Sequence, residues 1–168
     1  MSSTPQPSLS KRLEVLGGLL RRLDSFDMST FKGRLILQKT VYLMQSMGIF
    51  LGYRFNWYVY GPYSPELARH GFELGQRYQE VEPYEFHGES HRKSFARLID
   101  FLGSKRKNPI WLEAVASIHF QRKLNPAKPK EQILLDIKNK QPYFNLEICR
   151  DAWDALESAG LLVKGGSN

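Results

Sequence analysis

The segment Tyr60–Leu67, which reads YGPYSPEL, constrains the fold of this chain more than any other stretch. The Gly-Pro pair at 61–62 predicts a turn, because glycine adopts backbone angles that other residues avoid and proline interrupts regular structure. Ser64–Glu66 then has the features of a helix start, with a capping hydroxyl, a first-turn proline and an early acid. The segment therefore predicts a turn that leads directly into a helix.

The residues before this turn are aromatic and β-prone, and they predict a short strand over Arg54–Tyr60. Residues 79–88 also have an extended pattern and are a candidate hairpin partner for this strand. Alternation places Trp57 on one face of the strand and Tyr58 with Tyr60 on the other. We expect one face to lie in the core and the other to be free to bind a partner.

Through most of the remaining chain, apolar residues recur at three- and four-residue spacing, which is typical of amphipathic helices. Leu13, Leu16 and Leu20 are an example. The predicted helices run from a cap at Ser8 or Ser10 to about 25, and over about 30–47, 65–78, 89–103, 109–123, 130–140 and 145–159. We therefore expect one helical domain over 9–164, preceded by a disordered tail over 1–8.

The end of the chain has a second interpretation. A helix, a short break, a longer helix and then Gly160 with Leu161–Val163 is the layout of a winged-helix tail, in which the final leucines begin a strand. The predicted fold class is thus a compact, mainly α domain with a short β-hairpin or strand pair. A winged-helix-like C-terminal part stays open as an addition to that fold.

Composition excludes several classes of protein. Cys149 is the one cysteine in 168 residues, which excludes a disulfide framework within the chain and any multi-cysteine metal site. No stretch is long and apolar enough to cross a membrane, and the polar N-terminus lacks a signal-peptide core, so we expect a cytoplasmic location. The net charge of +7 favours a polyanionic partner, either nucleic acid or an acidic protein, but it fits plain solubility equally well.

The sequence carries no pattern that predicts catalysis. Cys149 lies in a predicted helix without a neighbouring histidine, and no GxSxG motif or phosphate-binding glycine loop is present. His87 and His91 are four residues apart, but the first is not followed by the glutamate of a zinc-binding HExxH helix. We therefore expect a protein that is not an enzyme and that uses no metal ion or other cofactor.

Basic residues occur in pairs and triplets along the chain. A nucleic-acid-binding protein would gather such residues on one face to neutralise phosphates. The sequence does not show whether they converge, and a solvated surface is an equal alternative. The candidate nucleic-acid-binding residues are Lys105, Arg106, Lys107, Arg122 and Lys123.

Three stretches within Gly33–Leu74 together resemble a known family pattern: GRLILQKTVYL at Gly33–Leu43, the segment Gly48–Gly52, and FNWYVYGPYSPELA at Phe55–Ala68. The pattern is similar to the YwgA-like group of uncharacterised prokaryotic proteins and, more distantly, to SocA-like antitoxins with a Panacea domain. The resemblance implies a compact helical domain that binds a partner protein, often a toxin or a protein delivered to a protease. It also implies a prokaryotic gene near mobile or defence systems. The chain departs from the SocA-like pattern at Tyr63, where valine is usual.

The same residues have a physical interpretation. Gln38 and Lys39 interrupt an apolar helix, where their side chains can hydrogen-bond the turn backbone at 60–63 or extend towards the surface. The aromatic residues bring large contact areas with polar tips, as interface anchors do. We therefore expect a protein partner, such as a toxin or defence-system subunit, with nucleic acid as the alternative and self-association open. The candidate partner-binding residues are Gln38, Lys39, Trp57, Tyr58, Tyr60, Tyr63 and Pro65.

Overall fold

The structure is a computed structural model that describes residues 4–164. Within this range the chain forms seven α-helices, one antiparallel hairpin and two short 3-10 turns, which confirms a mainly α fold with a short β-hairpin. Residues 1–3 of the predicted tail lie outside the described range. The helices are α1 (Lys11–Leu23), α2 (Phe31–Ser46), α3 (Pro65–Gln76), α4 (Glu89–Leu102), α5 (Pro109–Leu124), α6 (Lys130–Lys140) and α7 (Leu146–Ser158). The strands are β1 (Asn56–Tyr58) and β2 (Gly61–Tyr63).

Local capping signals explain where five of these helices begin. In each, a side-chain oxygen accepts a hydrogen bond from the backbone N–H three residues further on, which satisfies a donor that the first turn leaves free. α3 and α5 also have proline in the first turn, where a backbone N–H is not needed. The capping residues are Ser10, Thr30, Ser64, Asn108 and Asn145.

The hairpin differs from the predicted one. β1 pairs with β2 in an antiparallel register that places Asn56 opposite Tyr63, so the chain reverses at Val59–Tyr60. The predicted turn at 61–62 is therefore wrong, because a short edge strand tolerates proline. Residues 79–88 form the end of a 3-10 turn and coil, and they do not pair with β1.

The end of the chain forms no strand between residues 159 and 164, where the structure describes it. The N–H of Leu161 donates to Leu156 O at 2.9 Å, and the N–H of Gly160 donates to Glu157 O at 3.0 Å. With Gly160 at φ +70°, these bonds form a Schellman motif that ends α7. The expectation that Leu161–Val163 begin a strand is therefore wrong, because the leucines complete a helix end.

α2 and α5 form the centre of the fold. α2 is buried along 35–44 and α5 along 111–118, and α5 packs against α2, α6 and α7. Gly18 of α1 lies close to the coil after α3, since its O accepts a hydrogen bond from Tyr84 N–H at 3.1 Å. β2 contacts both α2 and α5, so the hairpin lies over the junction of the two central helices.

Candidate functional site

Gln38 connects α2 to the start of α3. Its Nε2 donates to Ser64 O at 3.0 Å, and its Oε1 accepts from Ser64 N–H at 2.9 Å. The hydroxyl of Ser64 in turn accepts from Leu67 N–H and caps α3. Gln38 and Ser64 are both buried, so one glutamine satisfies both backbone groups of a residue that water does not reach.

Lys39 lies beneath the hairpin and is buried along its whole side chain. Its Nζ donates to Pro62 O at 2.7 Å, so of the two alternatives left open by the sequence, the bond to the backbone at 60–63 is the one that Lys39 adopts. Burial lowers the pKa of Lys39 to about 7, while the nearby Glu113 carboxylate raises it and Lys140 lowers it. Lys39 therefore holds the hairpin from inside, and Gln38 holds the adjoining Ser64; both side chains are almost fully buried at the base of the surface between α2 and α3.

The close approach of the hairpin to α5 requires glycine at position 61. Gly61 has φ +89°, a conformation that other residues rarely adopt. A Cβ at this position would also clash with Ser117 Oγ on α5 and would lie 3.7 Å from Lys39 Nζ. Gly61 therefore allows the hairpin backbone to reach the Lys39 amine.

Gln45, one heptad beyond Gln38, holds the chain before the hairpin in the same way, and the sequence interpretation missed it. Its Oε1 accepts from the backbone N–H groups of Leu51 and Tyr53, and its Nε2 donates to Tyr53 O at 2.9 Å. The seven-residue spacing from Gln38 is the signal that both glutamines lie on the helix face covered by 51–64.

Five large apolar side chains lie exposed beside one another on the outside of this region, and we call them the aromatic surface. They come from α2, the hairpin turn, α3, α5 and the segment before α7. The rings of Phe31 and Tyr60 meet edge to face, with their centroids 5.1 Å apart. The members and their exposed fractions are Phe31 54%, Tyr60 37%, Phe72 53%, Ile110 38% and Tyr143 38%.

Phe31 and Tyr60 line two shallow depressions in the aromatic surface. The first has a volume of about 190 Å³, lies between α2 and α3, and includes Tyr63 and Phe72 in its wall. The second has a volume of about 290 Å³, lies between α2 and α5, and includes Tyr143. Sequence reasoning found Tyr60 and Tyr63 but missed Phe31, Phe72, Ile110 and Tyr143, because a single exposed apolar residue is ordinary.

The remaining predicted aromatic residues divide between surface and interior. Tyr58 is exposed and packs edge to face on Tyr63, with ring centroids 5.2 Å apart. Trp57 instead stacks on Phe120 at 5.7 Å, and Lys140 Nζ lies 4.3 Å from the centre of its ring. Trp57 thus attaches the hairpin to the helices. Pro65, in contrast, is exposed at the first position of α3.

Glu113 is a buried acid of α5 that lines the second depression and that sequence reasoning also missed. Its Oε2 accepts from the Tyr143 hydroxyl at 2.6 Å, whereas its Oε1 has no hydrogen-bond partner among residues 4–164. Burial raises the pKa of Glu113, and the Tyr143 hydroxyl, Lys39 and Lys140 lower it. The sequence signal for this residue was an acidic residue within an otherwise apolar stretch of a predicted helix, which indicates a buried carboxyl group.

The five candidate nucleic-acid-binding residues do not form one group. Lys105–Lys107 are exposed before α5, while Arg122 and Lys123 lie in its last turn, roughly 20 Å further along the helix axis. Arg122 also donates to Lys128 O at 2.7 Å and to Val163 O at 3.2 Å, so its guanidinium binds backbone groups. The structure therefore separates the two basic clusters.

Residues 4–164 contain no group of three or more His, Cys, Asp or Glu side chains placed to hold a metal ion. Within the same range, every helix is too short or too polar to cross a membrane. Comparisons with protein-family models, with curated proteins and with solved structures found no match.

Proposed function

We propose that this protein is a non-catalytic protein-binding module and that its partner docks on the aromatic surface. The supporting observation is the exposure of Phe31, Tyr60, Phe72, Ile110 and Tyr143 around two adjoining depressions. Large contiguous apolar patches are rare on monomeric proteins and often bind other proteins. Aromatic side chains in such patches are typical anchors of protein–protein interfaces.

The hairpin turn is fixed before any partner arrives, which favours binding. Lys140 Nζ donates to Tyr58 O at 3.2 Å and also to Val59 O, and Gln141 Nε2 donates to Val59 O at 2.9 Å. Lys39 holds the following strand from the interior. Because the turn that carries Tyr60 is ordered in the free protein, binding costs less conformational entropy.

The class of partner is proposed from the resemblance at Gly33–Leu43 and Phe55–Ala68. We propose an antitoxin-like protein or an accessory subunit of a prokaryotic defence system, which acts in the cytoplasm. The aromatic surface supports this proposal because a toxin or a defence-system subunit would need an exposed anchor of this kind.

Affinity capture from the native host tests the proposal with a matched pair of substitutions. Phe72→Ser removes an exposed anchor of the aromatic surface. The control Phe50→Ser removes a phenylalanine that is 76% exposed and follows the C-terminal end of α2, whereas Phe31 lies at the N-terminal end. We expect a partner that is retained by wild type and Phe50→Ser and is lost with Phe72→Ser. The captured protein is then purified and its affinity for all three forms is measured.

Equal retention by Phe50→Ser and Phe72→Ser would contradict the proposed surface, provided that both variants unfold at the same denaturant concentration as wild type. Loss of the partner with Phe50→Ser alone would place the interface at the opposite end of α2 and would also contradict it.

A nucleic-acid-binding regulator is the second candidate, supported by the net charge of +7 and the exposure of Lys105–Lys107. Fluorescence anisotropy with a labelled DNA duplex at low salt tests it. Phosphate contacts would give an affinity that falls steeply with salt and that weakens on replacement of the three residues by serine. No binding at low salt would eliminate this candidate.

A further inference from the structure

We infer that the first depression, between α2 and α3, binds an acidic segment of the partner protein. An apolar side chain of that segment lies in the depression, and a neighbouring Asp or Glu carboxylate pairs with Arg34. This inference rests on the proposed function, because it specifies the chemistry of the docked partner. The depression combines an apolar lining with a cation that a ligand can reach.

The lining of the first depression suits one large apolar side chain. Its volume is about 190 Å³, and an apolar cavity of about 150 Å³ can hold a benzene ring. Leu35 and Leu37 of α2 and Ala68 of α3 line it together with the exposed ring of Phe72. Met28 adds a flexible wall, which adapts to apolar side chains of different shape. A leucine or phenylalanine of the partner would therefore bury apolar area here.

Arg34 is the cation of this depression that a ligand can reach. Lys39 also lines it, but the Lys39 amine is almost fully buried and donates to Pro62 O. The Arg34 side chain is partly exposed, and its Nη1 donates to Met28 O at 3.2 Å. No carboxylate within residues 4–164 forms a salt bridge with it. A guanidinium carries five N–H groups, so donors remain for a carboxylate that arrives with the partner.

The exposed charge of the neighbouring depression has the same sign. Lys32 is exposed there, whereas the Glu113 carboxylate is buried and accepts from the Tyr143 hydroxyl. Asp27, in the loop before α2, accepts hydrogen bonds from the backbone and hydroxyl of Ser29 and lines neither depression. Positive charge beside an apolar cavity complements a partner that carries carboxylates beside its apolar anchors.

An acidic protein segment fits this arrangement better than a nucleic acid. Single-stranded nucleic acids bind in grooves whose cations follow the phosphates and whose aromatic rings stack on successive bases. Among the described residues that line the two depressions, Lys32 and Arg34 are the accessible cations, and they belong to separate depressions. A phosphate backbone would therefore meet few positive charges at this surface, whereas one carboxylate beside one apolar side chain needs only Arg34 and the cavity.

NMR titration with two matched dipeptides tests the inference without the partner. Acetyl-Leu-Glu-amide carries an apolar side chain beside a carboxylate, and acetyl-Leu-Gln-amide has the same shape without the charge. We expect the glutamate dipeptide to shift the backbone signals of Arg34, Leu35 and Phe72 in a saturable manner at millimolar concentrations. The glutamine dipeptide should bind about fivefold more weakly. A rise in salt to about 1 M should reduce this difference, because salt screens exposed charge pairs.

Two variants and a control locate the binding. Arg34→Gln should weaken binding of the glutamate dipeptide to the level of the glutamine dipeptide, and should leave binding of the glutamine dipeptide unchanged. Phe72→Ser should weaken both dipeptides to a similar extent, because it removes an apolar wall. Arg54→Gln removes an exposed arginine that lines a different depression together with Phe50, and it should alter neither affinity. Each variant should unfold at the same denaturant concentration as wild type.

Equal affinity of wild type for the two dipeptides would overturn the inference, because it would indicate a purely apolar ligand. A charge preference that survives in folded Arg34→Gln would also overturn it, as would the absence of saturable shifts with both dipeptides. Displacement of the glutamate dipeptide by an oligothymidylate at low salt would indicate nucleic acid in place of an acidic protein and would count against it equally.

Partner capture separates the failure of this inference from failure of the proposed function. Equal affinity for the two dipeptides would leave the proposed function intact if Phe72→Ser still loses the captured partner. Conversely, a charge preference that depends on Arg34, together with partner capture that is insensitive to Phe72→Ser, would support the site and refute the proposed docking surface.

Discussion

Replacement of Gln38 by methionine tests whether the buried hydrogen bonds between α2 and Ser64 stabilise the fold. Methionine and glutamine have similar length and volume, so Gln38→Met removes the amide without opening a large cavity. The buried N–H of Ser64 would then lose its partner, whereas the C=O would keep the hydrogen bond that it accepts from Ala68 N–H at 3.1 Å.

The cost comes mainly from the N–H of Ser64, because the C=O keeps its bond from Ala68 N–H. A buried N–H left unpaired costs about 1–3 kcal/mol, and the lost second bond to the C=O costs about 0.5–1.5 kcal/mol. Burial of the apolar thioether in place of an amide returns roughly 1–2 kcal/mol. We therefore expect the free energy of unfolding to fall by about 1–2 kcal/mol, and the midpoint of thermal unfolding to fall by about 2–8 °C.

Urea denaturation monitored by circular dichroism measures this change. Gln132→Met is the matched control, because Gln132 is exposed on α6 and its amide donates to the exposed Asp136. The control should alter the free energy of unfolding by less than about 0.5 kcal/mol. If Gln38→Met is as stable as the control, then the backbone of Ser64 is solvated or finds other partners, and the reasoning is wrong.

Three further predictions follow from single side chains. Gly61→Ala should destabilise the fold by about 2 kcal/mol or more, because φ is +89° and Ser117 Oγ occupies the Cβ position; Gly88→Ala, with free space around it, should be near neutral in the same denaturation assay. Burial lowers the pKa of His119 to about 4, so the unfolded chain takes up its proton first on acidification. As the pH falls from about 6.5 to 4, the free energy of unfolding of wild type should fall by up to about 3 kcal/mol more than that of His119→Gln. The same pH dependence of unfolding in both proteins would disprove this. Burial raises the pKa of Cys149 to about 11, so Ellman's reagent should react with it in denaturant and not in the native protein; rapid native reaction would show that the thiol is exposed.

The helices could be predicted from the sequence because their signals are local. Ser64 followed by proline specifies the start of α3 within a few residues, and the spacing of leucines such as Leu13 and Leu16 specifies a buried face of α1. The hairpin could not be predicted as well, since its register depends on distant residues. Gly-Pro at 61–62 is a turn signal by itself, but in the fold these residues pair with β1, and Pro62 O accepts a hydrogen bond from Lys39 Nζ.

The candidate site was predictable in part for the same reason. Tyr60 and Tyr63 stand out in an aromatic segment, and the structure places both beside the first depression. Phe72 and Tyr143 are single residues on separate elements, and they meet Phe31 and Tyr60 only through packing of the whole fold. A sequence read one segment at a time does not show such a convergence.

Gln38 and Lys39 belong to the internal support of the candidate site. A two-stranded hairpin has few strand partners, so its remaining backbone groups need donors and acceptors from elsewhere. On the buried side, Gln38 and Lys39 of α2 donate hydrogen bonds to the carbonyl groups of Ser64 and Pro62. On the outer side, Lys140 donates to Tyr58 O beside the hairpin turn. An interior polar residue, Lys39, thus fixes the strand that follows Tyr60 without touching a partner. Binding on the aromatic surface should therefore depend on buried side chains of α2 as well as on the exposed rings.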